Sequence, residues 1–384
     1  MTIVILDGTR TPFAKWKGSL ASYSSKQLGV HALSNLVERY PEIQHADGVL
    51  LAQVIQGGSG QNVARQVAIS AGVSPSTPAI TLNNVCLGGI ASIADAARRI
   101  RLKEGQLYIV GGMDSMTNAP FTVNLRAGHS FGDTTLTDTL ERDGLWCAIS
   151  DQSMGALTDT YNKKFSISRQ EQDEWAYLSH QRAKAAQEDG KFQNEISPIP
   201  DVLIEDNGIR PDTSVEKLSQ LKPAFDPNGT ITAGNASQMT DGASIGIVTT
   251  LEKAQQWQQQ PLAHIVDWAE TAGPDTSLHT KPSDAIRKIL EKQQLSIEDI
   301  DLFEINEAFA SVVIASMNDL NLDPEKVNVN GGAIALGHPL GGTGFRLVLT
   351  LAHELRRRGG GKGIATLCGG GGQGMAILID VPEN

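Results

Sequence analysis

Short apolar runs closed by glycine, alternating with longer stretches that carry polar residues, set the rhythm of this chain. Leu107-Tyr-Ile-Val-Gly-Gly112, Ala243-Ser-Ile-Gly-Ile-Val-Thr249 and Gly363-Ile-Ala-Thr-Leu-Cys368 predict strands of a buried sheet, since they are short and almost continuously apolar. The alanine-rich segment ending Arg98-Arg99-Ile100-Arg101 and the segment ending Arg356-Arg357-Arg358 predict helices whose basic last turns match the helix dipole. Glycines cluster at 57–60, 88–89, 111–112, 331–344, 359–363 and 369–374. Beside such elements they read as punctuation at strand–helix junctions, with tight turns and close backbone approaches, and not as a flexible linker.

The pattern recurs. Leu87-Gly88-Gly89, an arginine-ended helix and the 107–112 strand are matched by Leu340-Gly341-Gly342, a second arginine-ended helix and the strand over 363–370. Upstream, Ala46–Val54 mirrors Ile300–Ala308, and the offsets from Val54 to Leu87 and from Ala308 to Leu340 are similar. Matched elements in one order predict two halves of like fold, at about 1–115 and 260–384; chance similarity between glycine-rich α/β segments is the alternative. Between them, residues 116–165 read as polar loop. Ser168-x-x-Glu171 is a capping box opening a helix through Trp175, Leu178 and Ala185, which stops at Gly190. Residues 200–235 are loop-rich, with Asp206-Asn-Gly and Asp226-Pro-Asn-Gly turns, and the 243–249 strand rejoins the first half. The expected division is 1–115 with 235–260 as the N-terminal half, 116–234 as an inserted lid or binding surface, and 261–384 as the C-terminal half.

Composition narrows the function class. With 384 residues, 40% of them hydrophobic, the chain can build two or three packed units and is too apolar for disorder. Its 32 basic and 43 acidic residues, net −11, exclude the basic footprint of a nucleic-acid binder. No apolar run approaches the ~18–20 residues of a membrane span, and the opening Met-Thr-Ile-Val-Ile-Leu-Asp has no signal-peptide features. Cys86, Cys147 and Cys368 are odd in number and lack a C-x-x-C pair, so neither a disulfide framework nor a metal site is expected, and a reducing cytoplasm fits.

Chemistry gathers at the repeated Leu-Gly-Gly elements. Cys86, in Asn83-Asn84-Val85-Cys86-Leu87-Gly88-Gly89, precedes a helix whose N-terminal dipole favours thiolate; an inert buried cysteine is the bland reading. His338 stands one residue before the repeat partner of Cys86. If the halves pack about a pseudo-twofold axis, both helix N-termini meet in one cleft and pair a nucleophile with a base. Cys368 ends the strand that follows and could face the same cleft, and its glycine neighbours let backbone N–H groups approach an oxyanion. Asn306 ends another strand and could hold a water or an oxygen, with a satisfied core amide as the alternative. Cys147 reads as structural or incidental, and the seven histidines other than His338 as surface or satisfied core.

These residues resemble the thiolase family, the acetyl-CoA acyltransferases, over essentially the whole chain. The resemblance rests on the Cys86 segment, Asp143-Gly144-Leu145-Trp146, Ser153-Met154-Gly155, Leu221-Lys222-Pro223-Ala224-Phe225, Thr232-Ala233-Gly234-Asn235-Ala236-Ser237, Asn306-Glu307-Ala308-Phe309, Gly337-His338-Pro339 and Cys368-Gly369-Gly370, in family order. It implies an α/β, layered αβαβα fold of two repeated halves with an inserted loop domain. By motif it implies Cys86 as acyl-accepting nucleophile, His338 as its base and Cys368 as the acid/base for the second substrate. Asn306 with His338 would form one oxyanion site, and the N–H groups of Cys86 and Gly370 the other. Arg210, Ser237 and Ala236 resemble coenzyme A contacts; Met154, Ala308 and Phe309 resemble pocket wall, with Phe225 beside the coenzyme. Acyl-CoA and coenzyme A are then substrates and products, with no metal or redox cofactor. A local basic patch near Arg210 is expected against the overall negative charge. Asn118–Trp146 resembles the loop that pairs dimers into homotetramers.

Departures bear on substrate. Short-chain members have His-Met-Gly where this chain has Ser153-Met154-Gly155, and Met-Gly-x-Gly-Pro where it has Leu278-His279-Thr280-Lys281-Pro282. Losing both glycines should stiffen that loop and alter the pocket mouth, while Leu278 keeps apolar bulk suited to a short acyl chain. The expected reaction is reversible condensation of two acetyl-CoA to acetoacetyl-CoA and free coenzyme A. A degradative 3-ketoacyl-CoA thiolase of broader chain length, a carrier-protein-dependent condensing enzyme and a non-catalytic thiolase-like subunit are the alternatives. Cys368 speaks against the carrier-protein enzymes, and the complete set of Cys86, Asn306, His338 and Cys368 against the non-catalytic subunit.

Overall fold

Along the strand β1 (Ile3–Arg10), Ile3 and Ile5 enter one core and Val4 and Leu6 another. Both faces are buried, which is why the apolar run is unbroken. The computed structural model of the chain describes residues 1–126 and 128–383. Ala127, within the Asn118–Trp146 loop, and Asn384, the last residue of the C-terminal half, lie outside the described residues.

The other long strands are β2 (Gly48–Ala52), β3 (Ala79–Leu82), β4 (Leu107–Ser115), β5 (Thr240–Thr250), β6 (Ala263–Ala272), β7 (Leu302–Ile305), β8 (Gly361–Gly369) and β9 (Gln373–Val381). The first half runs β1-β5-β4-β2-β3 and the second β6-β9-β8-β7. In each, the first two pairings are antiparallel and the next is parallel. The missing fifth place is marked by a single parallel bridge between Phe303 and Val327. The halves join where β1 meets β6, through Val4–His264 and Ile5–Ala263 alone. That short seam relates two copies of one arrangement and accounts for the internal repeat.

The longer helices are α1 (Ser25–Arg39), α2 (Val63–Ser70), α3 (Gly88–Arg101), α4 (Met154–Lys164), α5 (Arg169–Glu188), α6 (Lys281–Gln293), α7 (Ala310–Leu320) and α8 (Leu340–Arg357). Helices α1 and α2 cover the outer face of the first sheet, and α6 and α7 that of the second. Between the sheets lie α3 and α8, with Ile90, Ile93 and Ile100 from one and Phe345, Leu351 and Leu355 from the other. The result is five layers, α-β-α-β-α. The two central helices cross with their backbones in contact. A Cβ on Gly89 would stand 2.6 Å from the Phe345 nitrogen, and one on Gly344 would stand 2.6 Å from the Ile90 nitrogen. Only glycine permits that approach, and it sets the helix N-termini side by side.

The inserted segment differs from expectation in one respect. Residues 154–164 are helix α4, within the stretch read above as loop. Its buried face is polar, with Thr158, Asp159 and Asn162 packed inside, so no apolar stripe announces it. Ser153 caps it by accepting from the Ala156 N–H, and the Ser168–Glu171 capping box opens α5 as expected. Arg10 anchors the insertion to β1: fully buried, it donates to Glu195 at 2.8 Å and to both Asp206 oxygens at 2.7 Å. Among the described residues, no helix is long and apolar enough to cross a membrane.

Candidate active site

Cys86 sits on a strained turn two residues before α3. Val85 ahead of it has φ 47°, a left-handed value that a β-branched residue rarely adopts, and such strain costs on the order of 1–3 kcal/mol. The N–H groups of Leu87 and Gly88 close the turn onto the carbonyls of Asn84 and Val85. This turn presents Cys86 to a cavity of about 280 Å³ that His338, Cys368 and Gly370 also line. Met154, Ser237, Ala308 and Phe309 form part of the same wall. Asn306 lies just behind, its Nδ2 3.4 Å from His338 Nε2 and its Oδ1 without a protein partner among the described residues. Residues far apart in sequence are thus brought to one point by the ends of β7 and β8 and the starts of α3 and α8.

A hydrogen-bond relay assigns the His338 tautomer. Thr343 Oγ1 donates its only proton to the Pro339 carbonyl at 2.9 Å, so at 2.6 Å it accepts from His338 Nδ1–H. The Nε2 lone pair therefore faces the cavity, ready to take a proton. Burial pushes His338 down to about 3, with the Arg346 charge adding to the effect, so the ring is neutral across the physiological range.

The thiolate expected at Cys86 is not the resting form. Burial pushes the thiol up to about 12, aided by the nearby Asp114 carboxylate, against hydrogen bonds from the N–H groups of Cys86 and Gly370. Desolvation outweighs the helix dipole here because the partly buried sulfur faces a cavity walled by protein and not open solvent at a helix end. Burial and the neighbouring Cys86 sulfur also raise Cys368 well above the ordinary thiol range. At rest the site is a thiol–imidazole–thiol set.

A second cavity of about 440 Å³ opens outward from the first and shares Leu145, Met154, Ser237 and Phe309 with it. Arg210, Phe225 and Ala236 line it, so every expected coenzyme contact falls in one of the two cavities. Lys15 and Trp16 line it too, and Lys15 supplies the second cation beside Arg210. The sequence reading missed both, since they come from the N-terminal half and carry no motif. His180, read as an ordinary histidine, accepts the Arg210 N–H at 3.1 Å through Nδ1 and so shapes this outer cavity.

Other residues also acquire a place that spacing did not signal. Asp114, fully buried at the end of β4, accepts N–H bonds from Val54, Ile55 and Gly341 at 3.0–3.1 Å and 2.7 Å. It thereby ties the first turn of α8 to the N-terminal half. Cys147, read as incidental, lines the inner cavity. Burial raises its thiol, but the Ser150 hydroxyl and the N–H groups of Ser150, Ile149 and Gly371 outweigh that and hold it below the ordinary range. His279 and Lys281, expected to alter the pocket mouth, line neither cavity; Leu278 alone of that loop reaches the inner one. Among the described residues, no cluster of histidine, cysteine and carboxylate side chains could hold a metal ion.

Comparison with known proteins agrees with this geometry. The thiolase N-terminal domain matches residues 3–252, and the thiolase C-terminal domain matches residues 259–381. A probable acetyl-CoA acetyltransferase of Mycobacterium tuberculosis is 45% identical over 98% of this chain and 99% of its own length. An acetyl-CoA acetyltransferase of Rhizobium meliloti is 41% identical over 99% and 98%. Among solved structures, a thiolase of Ascaris suum in complex with coenzyme A superposes with a TM-score of 0.94 at 36% identity, over 99% of this chain and 100% of that one. With both halves matched over their full extent, the chain belongs to the thiolase family.

Proposed function

We propose that this protein is an acetyl-CoA acetyltransferase, which interconverts two acetyl-CoA with acetoacetyl-CoA and free coenzyme A through an acetyl-Cys86 intermediate. The observation that carries the reading is the meeting of Cys86, His338 and Cys368 on one cavity, with His338 Nε2 free to accept a proton. In cleavage, His338 takes the Cys86 proton as the sulfur adds to the C3 ketone of acetoacetyl-CoA. Breaking the C2–C3 bond leaves acetyl-Cys86 and an acetyl-CoA enolate, which the Cys368 thiol protonates. Coenzyme A then gives its thiol proton to the Cys368 thiolate and attacks acetyl-Cys86. The Cys86 sulfur leaves and recovers its proton from His338. Every proton is returned, and both thiols begin and end neutral, as their raised pKa values require. Condensation is the same path reversed.

Charge on the oxygens is met by fixed donors. The Cys86 and Gly370 N–H groups point at the Cys86 sulfur and so lie next to the ketone oxygen on which the first tetrahedral oxyanion develops, and Asn306 with protonated His338 serves the thioester oxygen of the second substrate. Arg210 and Lys15 offer positive charge to the coenzyme in the outer cavity, and the apolar faces of Phe225 and Met154 lie along the channel inward. An inner cavity of about 280 Å³ suits a short acyl group. The free thiols of Cys86, Cys147 and Cys368 suit a reducing cytoplasm, and joining or splitting two-carbon units is chemistry that suits fatty acid metabolism. On the Asn118–Trp146 loop, Phe121, Val123, Leu125, Phe131 and Leu136 are all exposed, Phe131 at 96%; that much unpartnered apolar surface supports a homotetramer paired through this loop.

Peptide mass spectrometry after exposure to acetyl-CoA tests the reading. The native protein should carry one acetyl group on Cys86, and Cys86→Ser should carry none and lose turnover. An intact adduct elsewhere on the variant, or turnover only with an acyl-carrier protein, would overturn it.

A further inference from the structure

The Leu278–Pro282 loop, where this chain departs from its family's glycines, is held from both sides by buried polar side chains. His279, fully buried, points away from the cavity into the insertion. Its Nε2 lies 2.7 Å from Asn162 Oδ1, and its ring stacks on Phe165 with centroids 4.7 Å apart and planes 9° from parallel. Its carbonyl accepts from Ser316 Oγ of α7 at 2.9 Å. Asn162 is oriented in turn by Thr230, to which its Nδ2 donates at 2.9 Å. On the other side Lys281, 1% exposed, donates to the Gly273 carbonyl at 2.6 Å and closes the loop on its own beginning. Directly before the first anchor, Leu278 packs beside Cys368, Phe309 and Ile231 and forms inner-cavity wall.

We infer that His279, seated on Asn162 and Phe165, is a positioning residue that holds Leu278 as an immovable wall of the acyl pocket and so confines the enzyme to short 3-ketoacyl chains. The inference rests on the thiolase reading above and adds the determinant of chain length. A glycine in place of His279 would leave the loop free to swing, and a longer acyl chain could push Leu278 aside. The histidine supplies a hydrogen bond and a stacked ring that such a movement must break. Burial depresses its pKa to about 4, so the ring is neutral and its Nε2–H donates to the Asn162 carbonyl oxygen. Helix α4 joins the two ends of the device: Met154 at its start lines the cavity, and Asn162 two turns later seats the histidine.

The experiment compares kcat/KM for thiolysis of acetoacetyl-CoA with that of 3-ketooctanoyl-CoA in the full-length protein. His279→Ala should raise the ratio of long to short substrate about tenfold or more, because rejection of extra methylenes is worth about that factor each. Asn162→Ala should move the ratio the same way by less, since the ring stack remains, and His279→Gln, which can still donate to Asn162 but loses the stack on Phe165, should likewise fall between the parent and His279→Ala. Leu278→Ala, which removes the wall itself, should give the largest rise. If Leu278→Ala shifts the ratio while folded His279→Ala and Asn162→Ala keep the parent value, the clamp is refuted. A Leu278→Ala ratio equal to the parent's refutes the wall. Should His279→Ala fail to fold, Asn162→Ala and His279→Gln carry the same decision. A parent protein that cleaves neither substrate would instead overturn the thiolase reading.

Discussion

Replacing Gly344 by alanine adds one carbon where α3 and α8 touch, and two effects of opposite sign compete. Within a helix, glycine to alanine is favourable by about 1 kcal/mol, because the unfolded chain loses conformational freedom. At this position, however, the new Cβ would stand 2.6 Å from the Ile90 nitrogen and 2.9 Å from the Gly89 Cα. Ordinary contact begins near 3.4 Å, so the two helices must part by about 0.8 Å. The atoms in the way are backbone, with no rotamer to swing aside, and overpacking of this kind costs about 1–3 kcal/mol. Packing wins, and the variant should be destabilised by up to about 2 kcal/mol despite its better helix propensity. The same displacement reaches the chemistry. Cys86 rides on the start of α3, while His338 and its partner Thr343 ride on the start of α8. A misplacement approaching 1 Å lowers the rate by about 10²-fold. Thermal melting and thiolysis kinetics on one preparation measure both effects. A Gly344→Ala protein that melts higher than the parent and turns over at the parent rate would refute the view that this backbone contact aligns the site.

Two further perturbations follow from buried charge. In the folded protein His180, His279 and His353 titrate near 4 and His338 near 3, all depressed by burial, whereas an unfolded histidine titrates near 6.5. Their contribution to stability is complete above pH ~6.5 and is lost as the pH falls toward 4, because the unfolded chain then takes up protons the folded one refuses. Asp114 and Glu304, raised to about 6 and about 8, act in the opposite sense over this window, as do Glu195 and Asp241, which burial also raises, leaving a net uptake of about one to two protons on unfolding. Stability should therefore fall by roughly 1–3 kcal/mol per pH unit between pH 6 and 5, read as a drop in the urea midpoint; a flat midpoint would contradict it. Arg10→Met should strand the Glu195 and Asp206 carboxylates in the interior and cost about 3–5 kcal/mol in urea unfolding. A loss below 1 kcal/mol would mean that water reaches the pair.

Much of this protein was legible in its sequence because the information is local. The glycine-closed apolar runs mark strands buried on both faces, and their repetition around Leu87-Gly-Gly and Leu340-Gly-Gly marks two halves whose strand orders correspond. His338 stands one residue before the repeat partner of Cys86, and Cys368 ends the strand that follows, so a pseudo-twofold arrangement brings them together. The polar helix α4 was not legible, since its buried face carries Asp159 and Asn162, whose partners Thr230 and His279 lie 71 and 117 residues away. Nor was the proton inventory. The helix dipole at Cys86 is a local term that favours thiolate, but desolvation by the walls of the cavity is a tertiary term and outweighs it. The same holds for the Leu278 loop. Sequence marked His279 as a departure and placed it at the pocket mouth, whereas only the packing of α4 against that loop decides that the ring turns toward Asn162 and Leu278 faces the inner cavity. Residue types and spacing determine which groups are available; which of them lose water, and which way they point, is settled by elements that meet only when the chain has folded.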